Sequence, residues 1–342
     1  MRHHFVWPFV SLMLVGLVSL TSSSVAAGDI WTQKAEMPGR AGESAVAAVD
    51  GKIYVFGGGL EGGVTLGIFY VYDPAMDEWK VKADIPTPRL RHSACAVNGK
   101  IYIIGGTPDN YGDDVLATVE EYDPATDTWT RKADMPTPRH SLTTSVVDGK
   151  IYAIAGLKGS ALVGSWVPVP KVEVYDPATD SWEKRKDTPA LFSPYPVSTG
   201  VIGEKIYLAI AAIYEYDPAT DTWVLNRAPM PTLRSFTRGA VVNDRFYVIS
   251  GYGLDHGIIP VVEEYDPLTD TWTTKAPMLD RKAEFGLAVS DGKIYTFGGM
   301  NGETAVSTVE EYTPEGWPFK LTSVSPQDKL STSWGEIKTA GE

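Results

Sequence analysis

Two short blocks alternate along this chain six times. One reads Gly51-Lys52-Ile53-Tyr54, with copies opening at Gly99, Gly149, Glu204, Asp244 and Gly292. The other opens on a tyrosine, passes through an Asp-Pro turn and ends on a tryptophan, as in Tyr122-Asp123-Pro124-Ala125-Thr126-Asp127-Thr128-Trp129. Its copies begin at Tyr72, Tyr175, Tyr216 and Tyr265, and a damaged one runs from Tyr312 to Trp317. The period is roughly 50 residues, and a unit of that size must stack on its neighbours to bury an apolar face. Repetition therefore excludes most architectures before any single residue is weighed.

Each unit reads as four short strands separated by turn signals. An alternating stretch such as Arg91-His92-Ser93-Ala94-Cys95-Ala96-Val97 leads into a tight turn at Asn98-Gly99. Ile101-Tyr102-Ile103-Ile104 follows and ends at Gly105-Gly106. After a variable loop come Val119-Glu120-Glu121-Tyr122, the Asp-Pro turn and a strand opened by Trp129. Asp bonds its own backbone and Pro presets φ, so Asp123, Asp127 and their copies read as turn formers. Their spacing lacks the alternating oxygen ligands of a calcium loop.

The paired glycines, the Tyr-Asp-Pro and the spaced tryptophan resemble kelch repeats over roughly residues 31–317. The resemblance implies an all-β, six-bladed propeller with four antiparallel strands per blade, occupying residues 28–317. The segment Trp31-Thr32-Gln33-Lys34-Ala35 is similar to Trp129-Thr130-Arg131-Lys132-Ala133, yet no repeat precedes it. Trp317 is followed by Pro318, which cannot donate to a central ladder. We expect the strand near Trp31 to close the ring, with Trp317 as the alternative. Blade three departs from the pattern at Ala155-Gly156, and blade four lacks a diglycine and almost lacks its loop.

Residues 1–27 read as a signal peptide, with Arg2, an apolar run and Val25-Ala26-Ala27 before Gly28. The expected location is secreted or periplasmic, with no stable membrane span after cleavage. Residues 318–342 fall outside the repeats as an extension or tail. The net charge of −13 argues against nucleic acid and anionic membranes as partners. Cys95 is the single cysteine, so no internal disulfide forms. Six residues before each Ile-Tyr or Phe-Tyr block stand Ala47, Cys95, Ser145, Gly200, Ala240 and Ala288. All are small, which makes Cys95 a packing residue near a crowded axis. No metal-ligand spacing, nucleophile elbow or phosphate loop is present, so no metal, cofactor or catalytic set is expected.

One face, here the top, gathers the starts of the first strands. Arg40, Arg89, Arg91, Arg139, Arg234, Arg238 and Arg281 all fall there, with Ser141 beside them. A ring of guanidinium groups suits a carboxylate-bearing ligand. The family resemblance adds that some members hold acidic peptides with similarly placed arginines and serines. The expected function is thus an exported binding module for a protein segment or an acidic glycan. Glu43 and Glu284 share a register ten residues before Ile53 and Ile294, in blades that meet on closure. They are candidates for acid–base work on a sugar or for salt-bridge partners. The repeat-level resemblance separately implies, as an alternative function, a sugar-modifying enzyme similar to the N-acetylneuraminate epimerase, and carries over no catalytic residue. A structural or assembly role at a cell envelope is the third reading. The opposite face carries ten turn aspartates, two for each of the five well-formed Asp-Pro turns.

Overall fold

The computed structural model describes residues 29–109, 114–159, 166–189, 197–225, 227–255, 257–302 and 304–317. The expected signal peptide and the tail 318–342 lie outside the described residues. Among the described residues there is no helix, and six four-stranded antiparallel sheets carry the fold. In blade one the strands are Ala45–Val49, Lys52–Phe56, Phe69–Asp73 and Glu78–Val81, hydrogen-bonded in that order. The first strands of the blades, Ala45–Val49, Ser93–Val97, Thr143–Val147, Ser198–Ile202, Arg238–Val242 and Gly286–Ser290, touch one another around a closed circle. The molecule is a six-bladed β-propeller.

The apolar core is distributed between blades. Six clusters each join second- and third-strand residues of one blade to those of the next, such as Phe56 and Phe69 with Ile101, Ile103 and Tyr122. Each fourth-strand tryptophan sits against its own tyrosine at the same register: Trp79 opposite Tyr72, Trp129 opposite Tyr122, Trp182 opposite Tyr175. These tryptophans are interblade core.

Ring closure uses the N-terminal strand. Ile30–Lys34 pairs with Val309–Thr313, placing Trp31 opposite Tyr312 in the register of every other blade. Trp31 Nε1 donates to Ala276 O of blade five at 2.9 Å. Trp317 is 39% exposed and packs outside the sheet, with Lys293 Nζ 4.3 Å from its ring centroid.

The second turn aspartate does more than form a turn. Asp73, Asp123, Asp176, Asp217 and Asp266 each accept from a backbone N–H two residues on. Asp77, Asp180, Asp221 and Asp270 instead accept from the preceding blade, at Ala35 N, Ala133 N, Lys186 N and Ala228 N. Each also receives its own blade's tyrosine hydroxyl. The damaged sixth turn lacks this aspartate, and Asp29 stands in its place by different contacts: it accepts from Glu315 N of that turn at 2.9 Å, and its Oδ2 lies 3.6 Å from Lys275 Nζ of the preceding blade. Asp29-Ile30-Trp31 is the detached Asp-x-Trp of the sixth blade, moved to the other end of the chain.

Candidate functional site

The top-face arginines fall into separate registers with separate fates. Twelve residues before the Ile-Tyr or Phe-Tyr block stand Arg89, Arg139, Arg234 and, in blade six, Lys282. Arg89, Arg139 and Lys282 are fully buried, as is the side chain of Arg234. Arg139 Nη1 donates to Glu173 Oε2 at 2.6 Å and to Thr137 O at 2.7 Å. Its Nε and Nη2 take Ala155 O and Ala153 O at the end of the second strand. Thr137 Oγ1 completes the cluster by donating to Glu173 Oε1. Arg234 repeats the pattern with Glu263, Thr232, Ser250 O and Val248 O. Arg89 does so with Glu120, Thr87 and Gly105 O, and Lys282 pairs with Glu310.

This corrects the expectation of an arginine ring. Arg89, Arg139 and Arg234 are turned into their own blades, where they neutralise a buried carboxylate and satisfy strand-end carbonyls. A ligand at the opening does not meet them. Arg40 is half exposed and pairs with Glu61 at 3.0 Å on the rim loops, and Arg281 is exposed outside the cavity. The signal for the buried set was present in the repeats. Where the third strand reads Glu-x-Tyr, at Glu120, Glu173, Glu263 and Glu310, the matching position is Arg or Lys. Blade one has Tyr70 in place of that Glu and Ala41 in place of that Arg.

The residues ten before the block form the true rim. Glu43, Arg91, Ser141, Phe236 and Glu284 all adopt left-handed backbone, with φ between 54° and 56°. Such values are uncommon outside glycine, and for Phe they mark a genuine outlier. The kink lets adjacent blades join by backbone: Glu43 N donates to Glu284 O at 2.8 Å, Arg91 N to Glu43 O at 3.3 Å and Ser141 N to Arg91 O at 2.7 Å. It also places all five residues at one central cavity of about 190 Å³, whose lining further includes His92, Thr143, Thr144, Ser198, Thr199 and Arg238.

The cavity has two unlike halves. Blades two to five are joined by hydroxyls: Ser93 Oγ with Thr144 Oγ1, Thr143 Oγ1 with Thr199 Oγ1, and Ser198 Oγ with Thr237 Oγ1, all within 2.8 Å. Toward blades five, six, one and two the wall is charged. Arg91 Nε donates to Glu43 Oε1 at 2.6 Å. Arg238 Nε donates to Phe285 O at 2.9 Å, and its charge acts on both Glu284 and Glu43. Burial, reinforced by the Glu43 charge, pushes the Glu284 carboxyl up to about 7 despite Arg91 and Arg238. Phe236 lines the cavity and is backed by two further aromatics, Trp166 at 6.5 Å between centroids and Tyr252, edge-on, at 5.6 Å. The Arg91 guanidinium stands 6.0 Å from the Trp166 ring centroid.

Histidines at the site are neutral. His92 lines the cavity, with neither ring nitrogen bonded among the described residues. Burial, then the nearby Arg89 charge, holds it well below the usual histidine range. Burial lowers His140 to about 4. Its Nε2 donates to Gly159 O, so Nδ1 accepts from the Ser141 hydroxyl at 2.9 Å. The Ser141 oxygen keeps its lone pairs for the cavity.

Cys95, on the first strand of blade two, packs on the interblade core. Burial pushes its thiol up to about 12. At about pH 8 the native protein should resist iodoacetamide and react only after unfolding, as mass spectrometry would show. Rapid native alkylation would contradict this placement. On the opposite face, Lys52 and Arg245 pair with Asp73 and Asp266, and Lys100 and Lys150 with Asp123 and Asp176. These pairs cover four of the ten turn aspartates of that face. Among the described residues no cluster of His, Cys, Asp and Glu could hold a metal ion.

Comparison with known proteins agrees with this geometry. The family described as "KLHDC2/KLHL20/DRC7 Kelch-repeats domain" matches residues 16–209, and the "Kelch motif" matches residues 233–279 and 281–317. No curated protein matches the chain. A solved structure titled "Structure of YjhT" superposes with a TM-score of 0.66 at 18% identity, covering 80% of this chain and 95% of that one. At that identity the likeness concerns the fold alone.

Proposed function

From the premise that this chain belongs to the kelch-repeat family, whose propellers generally serve as interaction modules, we propose that it is a binding module for an acidic group. The group, carried by a glycan or a protein segment, enters the central top-face cavity. The observation that carries this reading is the convergence of five strained rim residues on one cavity. Strain of that kind persists where the surroundings over-determine it, and it gathers at ligand sites.

The cavity chemistry supports the class of ligand. Arg91 and Arg238 offer planar donors matched to a carboxylate. The hydroxyl-lined half and the Phe236 side chain suit the polar edges and apolar faces of a sugar ring. At about 190 Å³ the cavity is smaller than the roughly 300–1,000 Å³ typical of drug-sized ligands, so it fits one sugar unit or one side chain. The apolar run and the small residues before Gly28 support export, and N-terminal sequencing of the exported protein should find Gly28.

Removing a charge-assisted bond costs about 1.5–3 kcal/mol, or about 10- to 150-fold in affinity. Arg91→Ala should weaken binding by that factor in a calorimetric titration against uronic acids and an acidic peptide. Arg281→Ala, outside the cavity, should leave it unchanged. Full affinity in Arg91→Ala would remove the site. Glu43 and Glu284 support a second reading, acid–base chemistry on a bound sugar, because a carboxyl near 7 can both hold and release a proton at neutral pH. Inversion at a sugar carbon, followed by NMR and lost in Glu284→Gln, would favour it.

A further inference from the structure

We infer that the cavity takes up a carboxylate together with one proton, which resides on Glu284. This rests on the reading that the cavity is the ligand site, and goes beyond it by specifying the ligand's charge and its proton partner. The charged groups at the cavity are Arg91, Arg238, Glu43 and Glu284. His92 also lines it and is neutral, and Tyr252 stands close enough to feel both carboxyls. Lys282, two residues from Glu284, is turned away toward Glu310 and does not compensate. Two guanidinium groups balance two carboxylates. A third carboxylate, brought by the ligand, would leave one uncompensated negative charge in a partly desolvated space, where such charges are costly. One proton restores neutrality.

The geometry selects which carboxyl takes it. Glu43 accepts the Arg91 Nε hydrogen bond at 2.6 Å and so has a guanidinium in direct contact. Among the described residues, the more distant charges of Arg91 and Arg238 are what oppose the burial of Glu284 and the repulsion of Glu43. Once protonated, Glu284 changes from repelling an anion to donating an O–H to it. Arg238 lies in the same wall, its Nε anchored on Phe285 O. Carboxylic acid and guanidinium thus provide charge-assisted donors on the charged side of the cavity.

Linkage sets the sign. The empty site holds Glu284 near 7, and a bound carboxylate raises it further. Affinity should be greatest below that value and should fall above it, approaching about tenfold per pH unit. Below it, Glu284 is already protonated and no proton is taken up.

The test is calorimetric titration of the whole protein with galacturonate, acetate and a short Glu-containing peptide, and with galactose as the uncharged control. Titrations are run at about pH 5.5 in MES and at about pH 8 in Tris and in HEPES. These buffers differ in ionisation enthalpy, so the heat difference counts protons. The expected result at the higher pH is uptake approaching one proton and weaker binding of an acid than at the lower pH. Glu284→Gln should bind with an affinity independent of pH and with no uptake. Equal affinity at both pH values with no proton uptake overturns this inference and leaves the binding site standing. Galactose binding as tightly as galacturonate overturns it as well. Failure of every acid to bind at the lower pH overturns both this inference and the reading beneath it. The buffer comparison on the unaltered protein decides the matter even if the variant does not fold.

Discussion

Glu173→Ala should cost about 3–5 kcal/mol of unfolding free energy, the loss expected when a buried charge is left unpaired. Glu173 and Arg139 are both fully buried, and the guanidinium also holds three backbone carbonyls. Removing the carboxylate strands the charge but leaves those bonds. Arg139→Met loses the carbonyl partners too and should cost a similar amount. The double variant Arg139→Met/Glu173→Leu should be less damaged than the sum of the singles, because neither partner is left charged in the interior. Urea unfolding of the four proteins would show this coupling. A loss below about 1 kcal/mol for Glu173→Ala would mean that the pair is reached by water, and that Arg139 is available to a ligand after all.

Trp31→Ala should cost about 3–5 kcal/mol, the usual range for truncating a buried large aromatic. Trp31 is 7% exposed, packs on Tyr312 with centroids 5.0 Å apart, and donates across the blade five–six interface. Trp317→Ala should cost less than about 1 kcal/mol, because its ring lies on the surface. The contrast between the two ends is the informative result. Equal losses would contradict closure by the N-terminal strand. Asp29→Ala should add a smaller loss, since it removes the acceptor for Glu315 N.

The repeat made blade number readable, because it follows from period and register. Trp31, with no preceding repeat, was the favoured closure over Trp317, and the structure places it opposite Tyr312 in the register that Tyr72, Tyr122 and Tyr175 share with their tryptophans. Small residues around the axis, Cys95 among them, were readable for the same reason. The latch role of the second turn aspartate was not read, although Asp29-Ile30 before Trp31 carried it. It depends on a contact with the preceding blade that one unit viewed alone does not contain.

The arginines show where local reading stops. Arg89 and Arg91 are two residues apart, and a regular strand would point both to one face. The left-handed residue at Arg91 breaks that alternation, so one arginine enters the blade to meet Glu120 and the other stands at the cavity beside Glu43. By itself the sequence determined the six-fold repeat and the four-stranded unit, since these rest on periodicity and turn chemistry, and it left Trp31 and Trp317 as the two candidates for the strand that joins the ends. Only the tertiary structure decided which charges are paired inside blades and which meet at the axis. That choice depends on a backbone kink and on neighbours from other blades, neither of which is written in local spacing.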